Sequence, residues 1–336
     1  MTKVTIYELA AKVGLSAATI SRAIHAPHKL SQRTLDRIHC AMEECNYSYN
    51  AAAANFSKGS STTISTLVPF LQSSVFSSTV VGIQEYAYKN MFNVVVSSTG
   101  YDPHKELELL RQTREQRCAG VLLTGYCAEN ERAVLELAKT LPVVVMWEIS
   151  QVPLHCVGFD NYTVTCSAVE CLVSLGHKRI AAIAGPFSVM HRARQRLEAY
   201  LDTLQKHGLE ISASLYSERC PSIQDGNEAM HQLLALPQRP SAVLCNNDLQ
   251  AVGAISAIKK AGLRVPEDIS IFGFDDIELA PYLSPSLSTV HVPGYEIGKL
   301  STELLFRCIH AQQHGIVQHI VETPLVFRDS CCQYNA

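Results

Sequence analysis

Hydrophobic residues recur along this chain with two different periods, and the switch between them divides it. From Thr5 to Cys45 the spacing is helical. Thr5-Ile6-Tyr7-Glu8 has the S/T-x-x-E form of a capping box, and Ile6, Leu9, Ala10 and Val13 then fall on one stripe. Gly14 ends this first helix. Ser16 is a cap for a second, whose Ile20, Ala23 and Ile24 give it a buried face at i, i+3 and i+4. Past Pro27, Ser31 caps a third predicted helix with its stripe at Leu35, Ile38, Met42 and Cys45. Three short helices with a glycine-containing turn between the first two have the pattern of a helix-turn-helix. Beyond the linker Lys58-Gly59-Ser60-Ser61, short continuous apolar runs alternate with amphipathic stretches of helix length. The runs are 64–68, 93–97, 120–124, 143–147, 179–184, 242–245 and 269–273. Such alternation predicts an α/β body of doubly wound parallel sheets, a class that holds ligands at the carboxyl ends of its strands.

Composition and charge narrow the function. At 336 residues and 47% hydrophobic, the chain has room for a small head and one or two α/β lobes, and a disordered or fibrous reading is excluded. No stretch reaches the roughly 18 continuous apolar residues of a membrane span, and the chain opens directly on the first helical pattern, so a cytoplasmic protein is expected. The net charge of -3 hides an asymmetry: residues 1–60 hold seven Lys/Arg against four Asp/Glu, or +3, which leaves -6 for the remainder. A basic head on an acidic body suits a head that meets a polyanion. The 12 cysteines include no C-x-x-C pair, so no zinc ribbon or thioredoxin-like site is expected, and most are read as buried thiols. Neither a G-x-G-x-x-G nor a G-x-x-x-x-G-K-[ST] loop is present, so no nucleotide cofactor is expected, nor any metal.

In a helix-turn-helix the second helix enters the major groove and presents its N-terminal residues to base edges. Those residues here are Ala17, Ala18, Ser21 and Arg22. Arg22 has the fork that bonds guanine O6 and N7 together, and the alanines admit contact with thymine methyls. Ser16, Thr19, Ser21 and Thr34 are candidate phosphate donors.

Val4-Thr5-Ile6-Tyr7-Glu8-Leu9-Ala10, Gly14-Leu15-Ser16, Thr19-Ile20-Ser21-Arg22 and Asn46-Tyr47 followed by Asn50 resemble the signature of the lactose/galactose-repressor family. The resemblance implies a hinge helix over Asn50 to Ser57 that wedges into the minor groove, with Asn50 as its cap, Ala53 on the DNA-facing side and Phe56 as the wedge. Three positions depart from the family pattern: Tyr49 stands for a proline, Ala54 for an arginine and Phe56 for a leucine. The resemblance runs on through Gly158-Phe159-Asp160-Asn161, Leu175-Gly176-His177-Lys178-Arg179-Ile180, Asn247-Asp248, Val265-Pro266-Glu267-Asp268 and Gly273-Phe274-Asp275-Asp276. It implies a two-lobed, periplasmic-binding-protein-like body. The organisation expected is a head over 1–48, a hinge and linker over 49–60, and a body over 61–336. Within the body the N-lobe takes 61–160 and 291–320, and the C-lobe 161–290 and 321–336.

Family positions that touch effector fall on Asp160, Arg196, Asn247 and Asp275, with the loop from Ser73 to Phe76 closing the other side. Carboxylates, a guanidinium and an amide together make a cage for hydroxyls, and Phe76 or Trp147 offers a stacking wall. Two roles stay open for Asp160 and Asp275, as hydroxyl acceptors or as caps of the following helices, and for Trp147, as pocket wall or core. His191, Arg192, Arg194 and Arg196 cluster after Gly185-Pro186, and Val144-Val145-Met146-Trp147-Glu148 is similar to the gluconate-repressor branch. That likeness implies a sugar acid such as gluconate as effector, unless Arg192 and Arg194 face solvent. The partners expected are therefore a palindromic double-stranded operator, a sugar or sugar acid, and a second copy of the chain, since one head reads one half-site. No heptad pattern follows Phe327, which argues for a dimer over a coiled-coil tetramer. A transport protein that only captures sugar is a rival reading. An enzyme is another, but Asp275 and Asp276 are sequence neighbours and not an opposed catalytic pair.

Overall fold

The computed structural model describes residues 4–25, 27–47, 61–71 and 74–334, without the side chains of His25 and Ser74. The chain divides into two compact units, Met1–Ser61 and Thr62–Ala336.

The first unit is helical: α1 (Ile6–Val13), α2 (Ala17–His25) and α3 (Gln32–Glu44). Both arms of the capping box form at α1, with Glu8 N donating to Thr5 Oγ1 and Thr5 N donating to Glu8 Oε2 at 2.7 Å. Gly14 closes α1 at φ +58°, a left-handed conformation that a Cβ disfavours. Ser16 Oγ accepts from Thr19 N and Ser31 Oγ from Thr34 N, so the serines at both later helix starts satisfy backbone donors that the helix leaves unpaired. The three stripes meet in a core of Leu9, Ala10, Val13, Ile20, Ala23, Ile38 and Ala41. Arg37 donates to the Val13 carbonyl at 2.8 Å and so ties α3 to the end of α1.

The second unit contains two parallel sheets. Strands β1 (Thr63–Val68), β2 (Asn93–Ser98), β3 (Gly120–Thr124), β4 (Val143–Met146) and β5 (His155–Gly158) alternate with α4 (Ser74–Lys89), α5 (Pro103–Glu115) and α6 (Glu131–Ala138) in the first lobe. The second lobe runs α7 (Asn161–Ser174), β6 (Ile180–Ala184), α8 (His191–Lys206), β7 (Tyr216–Glu218), α9 (Ile223–Leu234), β8 (Ala242–Cys245), α10 (Asp248–Lys260) and β9 (Ser270–Phe272). The chain then passes through β10 (Thr289–Val290) to α11 (Gly294–Ile309) and β11 (Gln318–Ile320), and returns with β12 (Leu325–Val326). Strand order is β11-β5-β4-β3-β1-β2 in one sheet and β7-β6-β8-β9 in the other, every pair parallel, while β10 and β12 pair antiparallel.

Helices on both faces explain why β3, β4, β6 and β8 are buried along their whole length and read as unbroken apolar runs. The described chain crosses between the lobes near 159–161, near 290–293 and near 321–325. Asp275 N donates to the Val290 carbonyl at the second crossing; beyond it β11 pairs with β5, and beyond the third Ile271 N donates to the Ser330 carbonyl.

Each of the seven apolar runs holds a strand. β5, β7, β10, β11 and β12 are not among them, because His155, Ser217, Glu218, Gln318 and His319 break any apolar run in β5, β7 and β11, and β10 and β12 are two residues each. The cysteines are free, and the expectation that most are buried holds in part. Cys118, Cys127, Cys156 and Cys245 are fully buried, Cys40 and Cys220 are exposed, and the rest are half-buried. No helix among the described residues is long and apolar enough to cross a membrane.

Candidate functional site

On the head, α2 turns Ala18 and Arg22 fully outward and leaves Ala17 and Ser21 partly exposed, with Ile20 and Ala23 buried behind them. The hydroxyls of Ser16 and Thr19 lie 2.9 Å apart and those of Ser31 and Thr34 2.8 Å apart. Capping has therefore already fixed the orientation of three of the four proposed phosphate donors. Asn50, Ala53 and Phe56 lie outside the described residues.

In the body, a cavity of about 480 Å³ opens where the carboxyl ends of both sheets meet. Its walls differ in chemistry. Phe70 follows β1, Phe76 lies in α4, Tyr101 follows β2 and Trp147 follows β4, so the first lobe gives an aromatic side. Phe70 meets Tyr101 edge-on at 5.3 Å, and Phe76 meets Trp147 at 5.0 Å. The second lobe gives most of the polar atoms, from Arg196 on α8, Ser222, Asn246, Asn247 and Asp275. Tyr101, Trp147 and Asp275 all have positive φ, at 60°, 73° and 118°. Left-handed backbone costs a side-chain-bearing residue about 1–3 kcal/mol, and three such positions around one cavity mark it as a place where packing holds strain.

Arg196 is held from three sides. Its Nε donates to Asn161 Oδ1 at 2.8 Å, its Nη1 donates to the Asn246 carbonyl at 2.9 Å, and its guanidinium sits 3.5 Å from the centre of the Phe274 ring. Burial pulls its pKa down to about 10. Asp275 is 8% exposed, and burial, with Asp248 nearby, pushes its carboxyl well above the usual range against the pull of Arg196 and Arg192. Arg192, 5% exposed, donates to the Thr124 carbonyl at 2.6 Å and to the Tyr101 hydroxyl at 3.0 Å. Burial also pushes Glu148, behind Trp147, up to about 7. Two buried polar atoms here have no protein partner, Trp147 Nε1 and Glu148 Oε2.

Of the effector positions expected from sequence, Phe76, Trp147, Arg192, Arg196, Asn247 and Asp275 line this one cavity. Trp147 is both wall and core, since it is 2% exposed and packs with Phe159. Asn247 lines the cavity while its Oδ1 caps α10 through Gln250 N. Asp160 is not brought to the cavity. It is exposed, and its carboxylate caps α7 by accepting from Tyr162 N, Thr163 N and Thr163 Oγ1. Asn161 beside it takes the inward position. Ser73 lies outside the described residues. Sequence reasoning missed Phe70, Tyr101, Asn246 and the turn at Cys220 to Ile223. The first three each follow an expected strand by one to four residues and were open to detection, whereas the turn follows β7, which left no signal. Among the described residues, no group of three or more His, Cys, Asp or Glu is placed to hold a metal ion.

Comparison with known proteins agrees with both halves. A family model described as bacterial regulatory proteins, lacI family, matches residues 5–50, and one described as a periplasmic binding protein-like domain matches residues 169–331. The HTH-type transcriptional repressor CytR of Escherichia coli (strain K12) is 33% identical over 330 residues, covering 98% of this chain and 96% of that protein. The ribose operon repressor of Haemophilus influenzae (strain ATCC 51907 / DSM 11121 / KW20 / Rd) is 31% identical over 328 residues, covering 97% and 98%. The crystal structure of the Lac repressor dimer bound to operator and the anti-inducer ONPF superposes with a TM-score of 0.84 at 28% identity, over 98% of this chain and 100% of that one. With a helix-turn-helix head and a ligand cavity between two parallel-sheet lobes, the chain belongs to the lacI family of bacterial regulatory proteins and is a DNA-binding transcription regulator with a small-molecule effector domain.

Proposed function

We propose that the protein is a cytoplasmic, homodimeric repressor that reads a palindromic operator and has no catalytic role. Residues 1–48 form the DNA head, 49–60 the hinge and 61–336 the sensor and dimer body. Ala17, Ala18, Ser21 and Arg22 read bases, and Ser16, Thr19, Ser21 and Thr34 hold phosphates. Asn50, Ala53 and Phe56 engage the minor groove. The effector is a small hydroxylated ligand with one flat apolar face. Its hydroxyls meet Asn246, Asn247, Asp275 and Arg196, and its flat face meets Phe76 and Trp147; Ser73 closes the rim. Effector that favours one lobe closure changes operator affinity by its differential affinity for the two states.

The observation that carries this reading is the two-sided cavity in a chain that also has an outward Arg22 on α2. A neutral ligand fits best, because both guanidinium groups already donate to protein acceptors. A sugar acid such as gluconate is the second reading, favoured by the lining of one cavity with both Arg192 and Arg196. Calorimetric titration with neutral sugars, sugar acids, phosphorylated sugars, nucleosides and purines decides between them. Binding of neutral members alone supports the first, binding of acids alone the second, and binding of none rejects the cavity as the effector site.

A further inference from the structure

Besides its covalent crossings, the body has a noncovalent seam between its lobes. On one side are residues 124–128, from the last residue of β3 onward; on the other are 189–192, which run into the first turn of α8. Ala128 N donates to the Val189 carbonyl at 2.9 Å, Cys127 pairs with Met190 in an isolated antiparallel bridge, and Cys127 Sγ lies 3.9 Å from Met190 Sδ. Arg192 crosses the seam from the second lobe and donates to the Thr124 carbonyl and the Tyr101 hydroxyl of the first. Gly125 is the point of closest approach: at φ +65°, an added Cβ would stand 2.3 Å from Arg192 Nη1 and 3.3 Å from Glu148 Oε2. Met190 and Arg192 also line the cavity, whose opposite chemistry comes from Asp275 near a crossing.

We propose that this seam is a reversible clasp over the cavity, with Arg192 as the residue that sets how long the lobes stay closed. It rests on the cavity being the effector site. Closing the seam dehydrates its polar groups, and the bonds from Arg192 to the Thr124 carbonyl and the Tyr101 hydroxyl replace the lost water. Opening returns those groups to water, so the two states lie close in free energy, and removing the guanidinium leaves unpaired groups in the closed state and favours opening. The three crossings keep the lobes attached while the backbone bond, the Arg192 contacts and the 3.6 Å approach of His191 to Glu131 part.

The clasp is tested on the full-length protein without effector, by hydrogen-deuterium exchange over peptides spanning 126–130. Arg192→Met and Gly125→Ala are expected to speed exchange of the Ala128 amide at least tenfold, while amides of β3 and β6 exchange as in the parent. Unchanged exchange at Ala128 in both variants overturns the proposal. If β3 and β6 also exchange faster, Tyr101→Phe, which removes only one bond to Arg192, is read instead. Faster exchange at Ala128 in that variant supports the clasp, and parent-like exchange overturns it. Since no ligand enters the measurement, the clasp stands or falls separately from the effector reading, which the ligand panel decides.

Discussion

Trp147 is the only tryptophan in the chain and lies on the cavity wall, and its surroundings make a specific statement about stability. Its ring is 2% exposed, held edge-on by Phe76 and Phe159, while its indole N–H has no acceptor. In Trp147→Phe the side chain shrinks by roughly 40 Å³, which at about 24 cal/mol per Å³ of cavity costs ~1 kcal/mol. The same change removes an unsatisfied buried donor, which returns about 1–3 kcal/mol. The two terms offset, so Trp147→Phe is expected to lie within about 1 kcal/mol of the parent or above it. Trp147→Ala keeps no ring to fill the space and is expected to lose ~3 kcal/mol, the low end for a buried aromatic because one face already borders the cavity. Urea unfolding of the body, followed by far-UV circular dichroism, measures both. A Trp147→Phe variant that loses as much as Trp147→Ala would refute the claim that the indole N–H is an unpaired burden in the ligand-free protein.

Three further outcomes are expected. Arg22→Ala leaves the head as stable as before, since the side chain is exposed, but weakens the preferred site by about 1–3 kcal/mol and relaxes its choice at one guanine; competition binding against single-base variants of the site reads this, and unaltered site choice contradicts the guanine contact. Arg196→Lys cannot keep both the bond to Asn161 and the stack on Phe274, and it should lower body stability by about 2 kcal/mol in the same urea assay. Glu148, raised by burial from the ordinary 4.5 to about 7 against the pull of Arg192 and with Glu106 nearby, holds a proton in the folded state that the unfolded chain has released. Stability therefore falls as pH rises from about 4.5 through about 7 and is level above, and a Glu148→Gln variant should lack up to about 3 kcal/mol of that fall. An equal slope in both proteins contradicts the assignment.

The head was legible in the sequence to the level of single hydrogen bonds, because Thr5, Glu8, Ser16 and Ser31 act on neighbours three residues away and local spacing encodes local contacts. The body was legible as a succession of elements for a related reason: strands covered on both faces leave unbroken apolar runs. What sequence could not separate was the role of a polar residue that serves equally well as a helix cap or as a ligand group. Asp160 and Asn247 both follow strands and both cap helices, yet only Asn247 lines the cavity. That outcome depends on which way each helix start faces, a tertiary fact. The arginine cluster after Pro186 likewise suggested spare positive charge for an acidic ligand. Its members Arg192 and Arg196 instead have acceptors at Thr124, Tyr101, Asn161 and Asn246, up to 91 positions away in the chain. The seam between Ala128 and Val189 left no trace in the sequence, since it rests on one backbone bond and a glycine whose importance lies in what stands beside it.

The central claim is that occupancy of the cavity beside Trp147 changes how tightly α2 holds its DNA. Fluorescence of that single tryptophan reports occupancy, and fluorescence polarisation of a labelled duplex, selected from genomic fragments by the full-length protein at moderate salt, reports DNA affinity. A ligand that saturates the Trp147 signal is expected to change affinity for the selected duplex at least tenfold, about 1.4 kcal/mol, and to leave random duplex unaffected. Saturation of the tryptophan signal with the selected duplex bound as tightly as before would contradict the account.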